Sequence, residues 1–281
     1  MERVKRYIEE CLFLPPKPLL KYLGNETLAD FMTPLTTLIY EATGVPSICV
    51  PYPGATMWYI YSHGNNENLE SAIPFVRELS VELRATVFVY EYPGYFHTEP
   101  PVVPSEALAY RAAEAYVKAI KQLAPFPVIL IGYSMGCALA LHAAEANRVT
   151  RTGPLVFGCR KNKDNDGFPY AVVLIAPFVS AASVVLAREK SYLFFTPLWQ
   201  PVDVFALKHA ALVHGQPTFV ASGVDDAVIP WVHGETIATI SAKFGHTQFL
   251  KVPNATHKSV RVTPVVWSSF KDFLKDVASG A

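Results

Sequence analysis

Gly132-Tyr133-Ser134-Met135-Gly136 is the stretch of this chain best suited to chemistry. The apolar run Val128-Ile129-Leu130-Ile131 precedes it, and Cys137-Ala138-Leu139-Ala140-Leu141 follows. A strand feeding a Gly-x-Ser-x-Gly turn and then a helix is the context of a nucleophile elbow. Such a turn strains the serine backbone and brings its neighbours very close, so Gly132 and Gly136 must lack side chains. Ser134 Oγ would then project above a sheet. The following helix would aim free N–H groups and its positive dipole end at an oxyanion beside it. The chemistry proposed is acyl transfer. A dinucleotide loop needs Gly-x-Gly-x-x-Gly, and two glycines at this spacing do not supply it.

A serine hydroxyl is a poor nucleophile at neutral pH, so it needs a base and a carboxylate that orients the base. In elbow enzymes these follow in the order Ser, acid, His. That order removes His63, His97 and His142 as the base. His209 and His214 precede the best acid loop, His233 lies in a helical pattern, and His246 stands at the wrong end of the last strand. His257 leaves that strand's carboxyl end, where catalytic loops of open sheets gather. The acid is sought in Ser222-Gly223-Val224-Asp225-Asp226-Ala227-Val228-Ile229-Pro230, where Asp225 and Asp226 are both available. Two donors are needed for the oxyanion. Met135 N–H is one, and Asn65 N–H, from the loop after His63-Gly64, is the other. His63 is read as a brace for that loop. Tyr133, Tyr95 and Trp199 are expected to line the substrate site. No His-Glu-x-x-His or paired Cys/His spacing appears, so neither metal nor cofactor is expected.

The elements that must hold these residues follow an α/β pattern. Residues 1–23 read as a short helix stopped by Pro15-Pro16, and 24–281 as one domain. A leading hairpin is expected from Thr37-Leu38-Ile39-Tyr40 and Ile48-Cys49-Val50. Strands follow over Met57 to Asn66, ending in His63-Gly64-Asn65, and over Thr86 to Tyr90, with an amphipathic helix between them carrying Leu69, Ile73, Phe75, Val76 and Leu79. Ser105 caps an Ala-rich helix reaching about Leu123. Strand, helix, strand, helix in this order implies right-handed crossovers and a parallel sheet covered on both faces. After the elbow helix, the charged stretch 148–167 reads as a solvated excursion. Strands then follow at 170–175, 217–221 and 248–252, and a last helix holds Val265, Val266, Phe270, Phe273 and Leu274. The connection 178–214, rich in aromatics such as Phe194, Phe195 and Trp199, leaves a strand's carboxyl end and is expected to form a small cap.

Composition narrows the classes. The chain has 281 residues, 51% of them hydrophobic, and equal numbers of Lys+Arg and Asp+Glu at 24 each. That length and apolar content support one sizeable core, and the balanced charge offers no field for nucleic acid. Cys11, Cys49, Cys137 and Cys159 are scattered without Cys-x-x-Cys pairs, which favours reduced thiols and a cytoplasmic setting. The charged start, Met1 to Glu10, lacks the apolar core of a signal peptide. The longest uncharged run, Ala171 to Ala187, falls short of the ~20 residues of a membrane span and contains Pro177. The sequons at Asn25 and Asn254 read as accidental in this setting. Val4, Ile8, Leu12 and Phe13, within residues 1–14, form a seam that could touch a membrane peripherally, with Cys11 open to lipidation; docking on the domain is favoured. Nothing in the sequence sets the oligomeric state.

Phe13-Leu14-Pro15-Pro16, Ser62-His63-Gly64-Asn65, Tyr92-Pro93-Gly94-Tyr95, the Ser134 elbow, Ala176-Pro177-Phe178 and Gly223 to Pro230 together resemble the Bem46-like group of α/β-hydrolases. That group includes the ABHD17-type protein depalmitoylases and stands near the prolyl-oligopeptidase-like serine peptidases. The resemblance implies an eight-stranded hydrolase fold, a triad of Ser134, Asp226 and His257, and ester or thioester substrates, whether small molecules or acylated proteins. The group's Gly-x-x-Asp-x-Val-Ile/Val-Pro pattern favours Asp226 over Asp225. Two departures stand out: the N-terminus lacks the depalmitoylases' cysteine cluster, and Phe96-His97-Thr98 replaces a small Gly/Ser run. A serine peptidase is the alternative enzyme, although no gating domain selects peptides. A binding protein on a hydrolase fold is the alternative class, and it usually lacks a triad member.

Overall fold

A computed structural model describes residues 5, 6, 9, 13, 15, 28–95, 102–147, 169–188 and 216–280, the side chains of 28 and 185–188 excepted. The 148–167 excursion, Phe96-His97-Thr98, Trp199, Cys11 and most of the N-terminal and cap segments lie outside these residues.

Among the described residues, seven strands form one sheet in the order β1-β3-β2-β4-β5-β6-β7. They are β1 (Ser47–Val50), β2 (Trp58–Ser62), β3 (Thr86–Tyr90), β4 (Val128–Tyr133), β5 (Ala171–Ile175), β6 (Thr218–Gly223) and β7 (Thr247–Val252). Only β1 runs antiparallel, pairing Ser47 with Tyr90 and Val50 with Val87 on β3. The α-helices among the described residues are α1 (Pro34–Thr43), α2 (Leu69–Leu83), α3 (Glu106–Leu123), α4 (Gly136–Ala146), α5 (Ala181–Arg188), α6 (Val232–Ser241) and α7 (Pro264–Ser279).

Strand residues alternate between two cores, as a period of two requires in a sheet buried on both faces. Ile60, Phe88, Leu130 and Leu174 face the core that holds Ala113 and Tyr116 of α3 and Leu139 of α4. Tyr61, Val87, Ile131 and Val173 face the other, with Ile73 and Val76 of α2 and Phe270 and Phe273 of α7. The chain leaves β2 for β3 on one side and returns to β4 on the other. The loops after β2 and β4 therefore diverge at a topological switch point, where open α/β sheets hold their ligands.

The expected leading hairpin is replaced by a helix and one strand, and the expected eight strands number seven among the described residues. Thr37 to Tyr40 are β-prone by type, but they lie inside α1. Thr33 and Thr36 close a reciprocal capping box, Pro34 opens the first turn, and Gly44 ends the helix at φ 69°. Caps and a left-handed stop at both ends outweigh the modest helix penalty of β-branched side chains.

Candidate active site

Ser134 has φ 54°, a left-handed conformation that a residue bearing a Cβ adopts only under constraint. Its N–H donates to Ile175 O at 2.9 Å, and its carbonyl accepts the Cys137 N–H at 3.0 Å. The flanking glycines permit this turn. A Cβ on Gly136 would stand 1.9 Å from Ser62 O, and one on Gly132 would stand 2.4 Å from Cys137 Cα. The close approach of Gly136 also brings the start of α4 onto the end of β2, beside the His63-Gly64-Asn65 loop. Met135, the N-cap of α4, contributes one of the first-turn N–H groups that a helix leaves without an internal acceptor.

His257 lies just beyond β7, with Nε2 3.2 Å from Ser134 Oγ and Nδ1 2.7 Å from Asp226 Oδ2. Asp226 is buried while Asp225 is exposed. The other Asp226 oxygen, Oδ1, accepts the Val228 N–H at 2.8 Å and the Ile229 N–H at 2.7 Å. The carboxylate is thus held at both ends. The acid and base loops are stitched together by Val224 N–H to Val252 O at 2.9 Å and Asp225 N–H to Ala255 O at 3.0 Å. Gly223 permits the approach, since a Cβ there would meet Ala255 O at 2.1 Å. Ser134, His257 and Asp226 are therefore connected in a line across three strand ends. The arrangement can pass a proton from the hydroxyl to the imidazole while the carboxylate holds the tautomer.

The Asn65 loop is braced from below. Tyr95 OH lies 3.0 Å from Asn65 O and 2.8 Å from Asn65 Oδ1, donating toward both. Tyr92 OH donates to His63 O at 2.7 Å, and its ring stacks on the His63 ring at 3.8 Å between centroids. His63 is fully buried, with Nδ1 2.9 Å from Gly64 O and Nε2 3.2 Å from Glu91 Oε1. Glu91 Oε2 accepts the Leu69 N–H at 3.2 Å, at the start of α2.

Tyr95 and Tyr133, expected to line the substrate site, are buried at 2% and 5% exposure, and their hydroxyls are engaged with the frame of the site. Tyr133 OH donates to His257 O at 3.1 Å, and its ring lies 5.2 Å from the His257 ring. Both serve as supports for the loops that carry Asn65 and His257. Trp199 lies outside the described residues.

Glu67 and Arg261 escape the sequence reading. Arg261 Nη1 donates to Glu67 Oε1, and Glu67 Oε2 accepts the Gly64 N–H at 2.7 Å and Tyr61 OH at 3.0 Å. Burial opposes ionisation of Glu67, but Arg261, His63 and the Gly64 N–H together hold its carboxyl below its ordinary value. Burial likewise opposes the Arg261 charge, and Tyr61 and Glu67 outweigh it, moving its pKa upward. An acid three residues after Gly64 is a readable hint of the first residue; no local pattern announces its partner. Cys137 Sγ, behind the elbow, is fully buried and donates toward Gly132 O and Ile175 O, while desolvation pushes its pKa up. Among the described residues, no cluster of three His, Cys, Asp or Glu side chains could hold a metal ion.

The family model described as "Alpha/beta hydrolase family" matches residues 53–267, which span the elbow, the acid loop and His257. The chain belongs to the alpha/beta hydrolase family. An alpha/beta hydrolase of Acanthamoeba polyphaga mimivirus is 22% identical over 262 residues, covering 90% of this chain and 87% of the viral protein. The alpha/beta hydrolase domain-containing protein 17C of Xenopus tropicalis is 25% identical over 186 residues, 65% of this chain and 50% of the frog protein. A Pyrococcus furiosus esterase has the same fold, with a TM-score of 0.60 at 14% identity, covering 94% of this chain and 97% of the esterase. No helix among the described residues is long and apolar enough to cross a membrane.

Proposed function

We propose that the protein is a serine hydrolase that cleaves carboxylic ester or thioester bonds through an acyl-enzyme on Ser134. The observation that carries this reading is the continuous line Ser134 Oγ to His257 Nε2 at 3.2 Å and His257 Nδ1 to Asp226 Oδ2 at 2.7 Å. In the first step Ser134 Oγ attacks the acyl carbon as His257 Nε2 takes its proton. Asp226 keeps the other imidazole proton on Nδ1 and stabilises the imidazolium. The carbonyl oxygen becomes an oxyanion, which accepts hydrogen bonds donated by Met135 N–H and Asn65 N–H. Collapse expels an alcohol or thiol, which receives the proton from His257. A water molecule activated by the same imidazole then releases the acid and restores Ser134.

Acylated proteins belong with small esters in the substrate class. The similarity to the 17C-type frog protein motivates including them in the test, alongside the peptide bonds of the alternative peptidase. A fluorophosphonate probe should label wild type and leave Ser134→Ala unlabelled; equal labelling of both overturns the nucleophile. A panel of p-nitrophenyl esters, acyl thioesters and amides should show turnover of esters and thioesters well ahead of amides. Amide cleavage at the thioester rate overturns the bond preference.

A further inference from the structure

We propose that Glu67 and Arg261 are a positioning pair that sets the oxyanion loop and the base-bearing loop against each other around Ser134, an inference that rests on the serine-hydrolase reading above. Each side chain grips a residue that holds the site. Glu67 takes the Gly64 N–H at 2.7 Å, fixing the loop from which Asn65 donates. Arg261 lays its guanidinium 4.6 Å from the Tyr133 ring centroid and 4.9 Å from that of Phe75. Tyr133 precedes the nucleophile and donates its hydroxyl to the His257 carbonyl at 3.1 Å. Its ring also lies against the oxyanion loop, since a Cβ on Gly64 would meet Tyr133 Cδ1 at 2.9 Å. Tyr61 OH completes the join, donating to Glu67 Oε2 at 3.0 Å and accepting from Arg261 Nη1 at 2.9 Å. One ion pair between buried Glu67 and half-buried Arg261 thereby links the segment after β2, the residue before Ser134 and the turn after His257.

A buried ion pair is weak evidence of stability, because replacing both charges with neutral groups of similar volume is often harmless. Its connections to both sides of the reacting atoms supply a different reason for it. Catalytic donors must be placed to fractions of an ångström, and a misplacement near 1 Å costs on the order of 100-fold in rate. Arginine is required in particular: lysine would keep the charge for Glu67 but has no planar face to lie on Tyr133.

The test uses the full chain as wild type, the charge-neutral double variant Glu67→Gln/Arg261→Met, and Arg261→Lys. Each is followed by thermal melting, fluorophosphonate labelling, and kcat and KM on p-nitrophenyl butyrate. The expected result is a folded double variant with kcat lowered about 10- to 100-fold and KM within about threefold, and Arg261→Lys lowered about 10-fold in kcat. A folded double variant with wild-type kcat, or a loss confined to KM, overturns the proposal. Should the double variant fail to fold, Arg261→Lys decides it, and wild-type kcat in that variant overturns it. Absence of labelling in wild type is a separate result: it removes the serine-hydrolase reading and this inference with it.

Discussion

Asp226→Asn tests the role of the acid with a magnitude that follows from its hydrogen bonds. Asp226 Oδ1 accepts the backbone N–H groups of Val228 and Ile229 at 2.8 and 2.7 Å. An asparagine there must place its carbonyl oxygen toward those two donors, because an amide nitrogen would face N–H against N–H. Its NH2 is then turned to His257 Nδ1, which becomes an acceptor and sends the imidazole proton to Nε2. That nitrogen, 3.2 Å from Ser134 Oγ, can no longer take the serine proton. A tautomer locked in the wrong form costs about 10^4-fold in kcat, or about 5 kcal/mol of transition-state stabilisation. The fold should survive, since the two loop bonds persist. Steady-state hydrolysis of a p-nitrophenyl ester, with circular dichroism melts on the same samples, measures both. Asp225→Asn is the matched control, and its exposed side chain should leave kcat within about twofold. More than a tenth of wild-type activity in Asp226→Asn, or an equal loss in Asp225→Asn, refutes the tautomer argument.

Three further outcomes follow from the same structure. Gly136→Ala drives a methyl to 1.9 Å from Ser62 O, a backbone contact that must shift, so a loss of about 3 kcal/mol in denaturant unfolding and of most turnover is expected; a melt and activity like wild type would contradict the close approach of α4 to β2. Cys49 and Cys137 are buried, desolvation pushes the Cys49 thiol up to about 12 and raises Cys137 as well, so both remain thiols at pH 8; iodoacetamide followed by peptide mass mapping should find them modified only in denaturant. The Glu67 carboxyl titrates below its ordinary 4.5 in the folded chain, so its contribution is complete above about pH 4.5 and is lost as pH falls through the lower folded value. Melting temperatures taken downward from pH 5 should therefore fall more steeply for wild type than for Glu67→Gln/Arg261→Met, and parallel curves would remove Glu67 from the acid response.

What the sequence exposes is what neighbouring residues decide together. The elbow is legible because strand, turn glycines and helix are contiguous, and β3 is read at its observed ends, Thr86 and Tyr90. His257 is legible through chain order and its place after β7. Choosing Asp226 over Asp225 is harder: the two residues are adjacent, and what separates them is burial and the bonds of Asp226 to Val228, Ile229 and His257, so a family pattern rather than local chemistry makes the distinction. Glu67 and Arg261 are 194 residues apart, and their pairing exists only after β2 and β7 are placed in one sheet. Residues 37–40 go astray for the opposite reason. Their own types favour a strand, while the deciding signals, Thr33, Pro34 and Gly44, lie outside the window. Tyr133 and Tyr95 are expected at the substrate site, and the frame engages each hydroxyl with a backbone acceptor, which sequence alone does not reveal.

Backbone strain has a distribution that bears on how the site works. Among the described residues, four non-glycine residues have positive φ: Arg84, Ser134, Ala176 and Asn254. Arg84 ends α2 as an ordinary left-handed cap. The other three stand one or two residues beyond β4, β5 and β7, on the sheet edge that carries the site. Such conformations cost about 1–3 kcal/mol each and persist only where their surroundings over-determine them. Here the neighbouring strand does so: Ser134 N–H is held by Ile175 O, and Ala176 N–H by Ala221 O, at 2.9 and 2.8 Å. Ser134 and Ala176 thus each extend the ladder by one bond past the end of their strands. The bent position of Ser134 is therefore set by β5, and that of Ala176 by β6, the strand that leads into the Asp226 loop. Ser134 and Asp226 are connected through this chain of backbone bonds as well as through His257, so that placing β5 and β6 correctly already fixes the Ser134 turn.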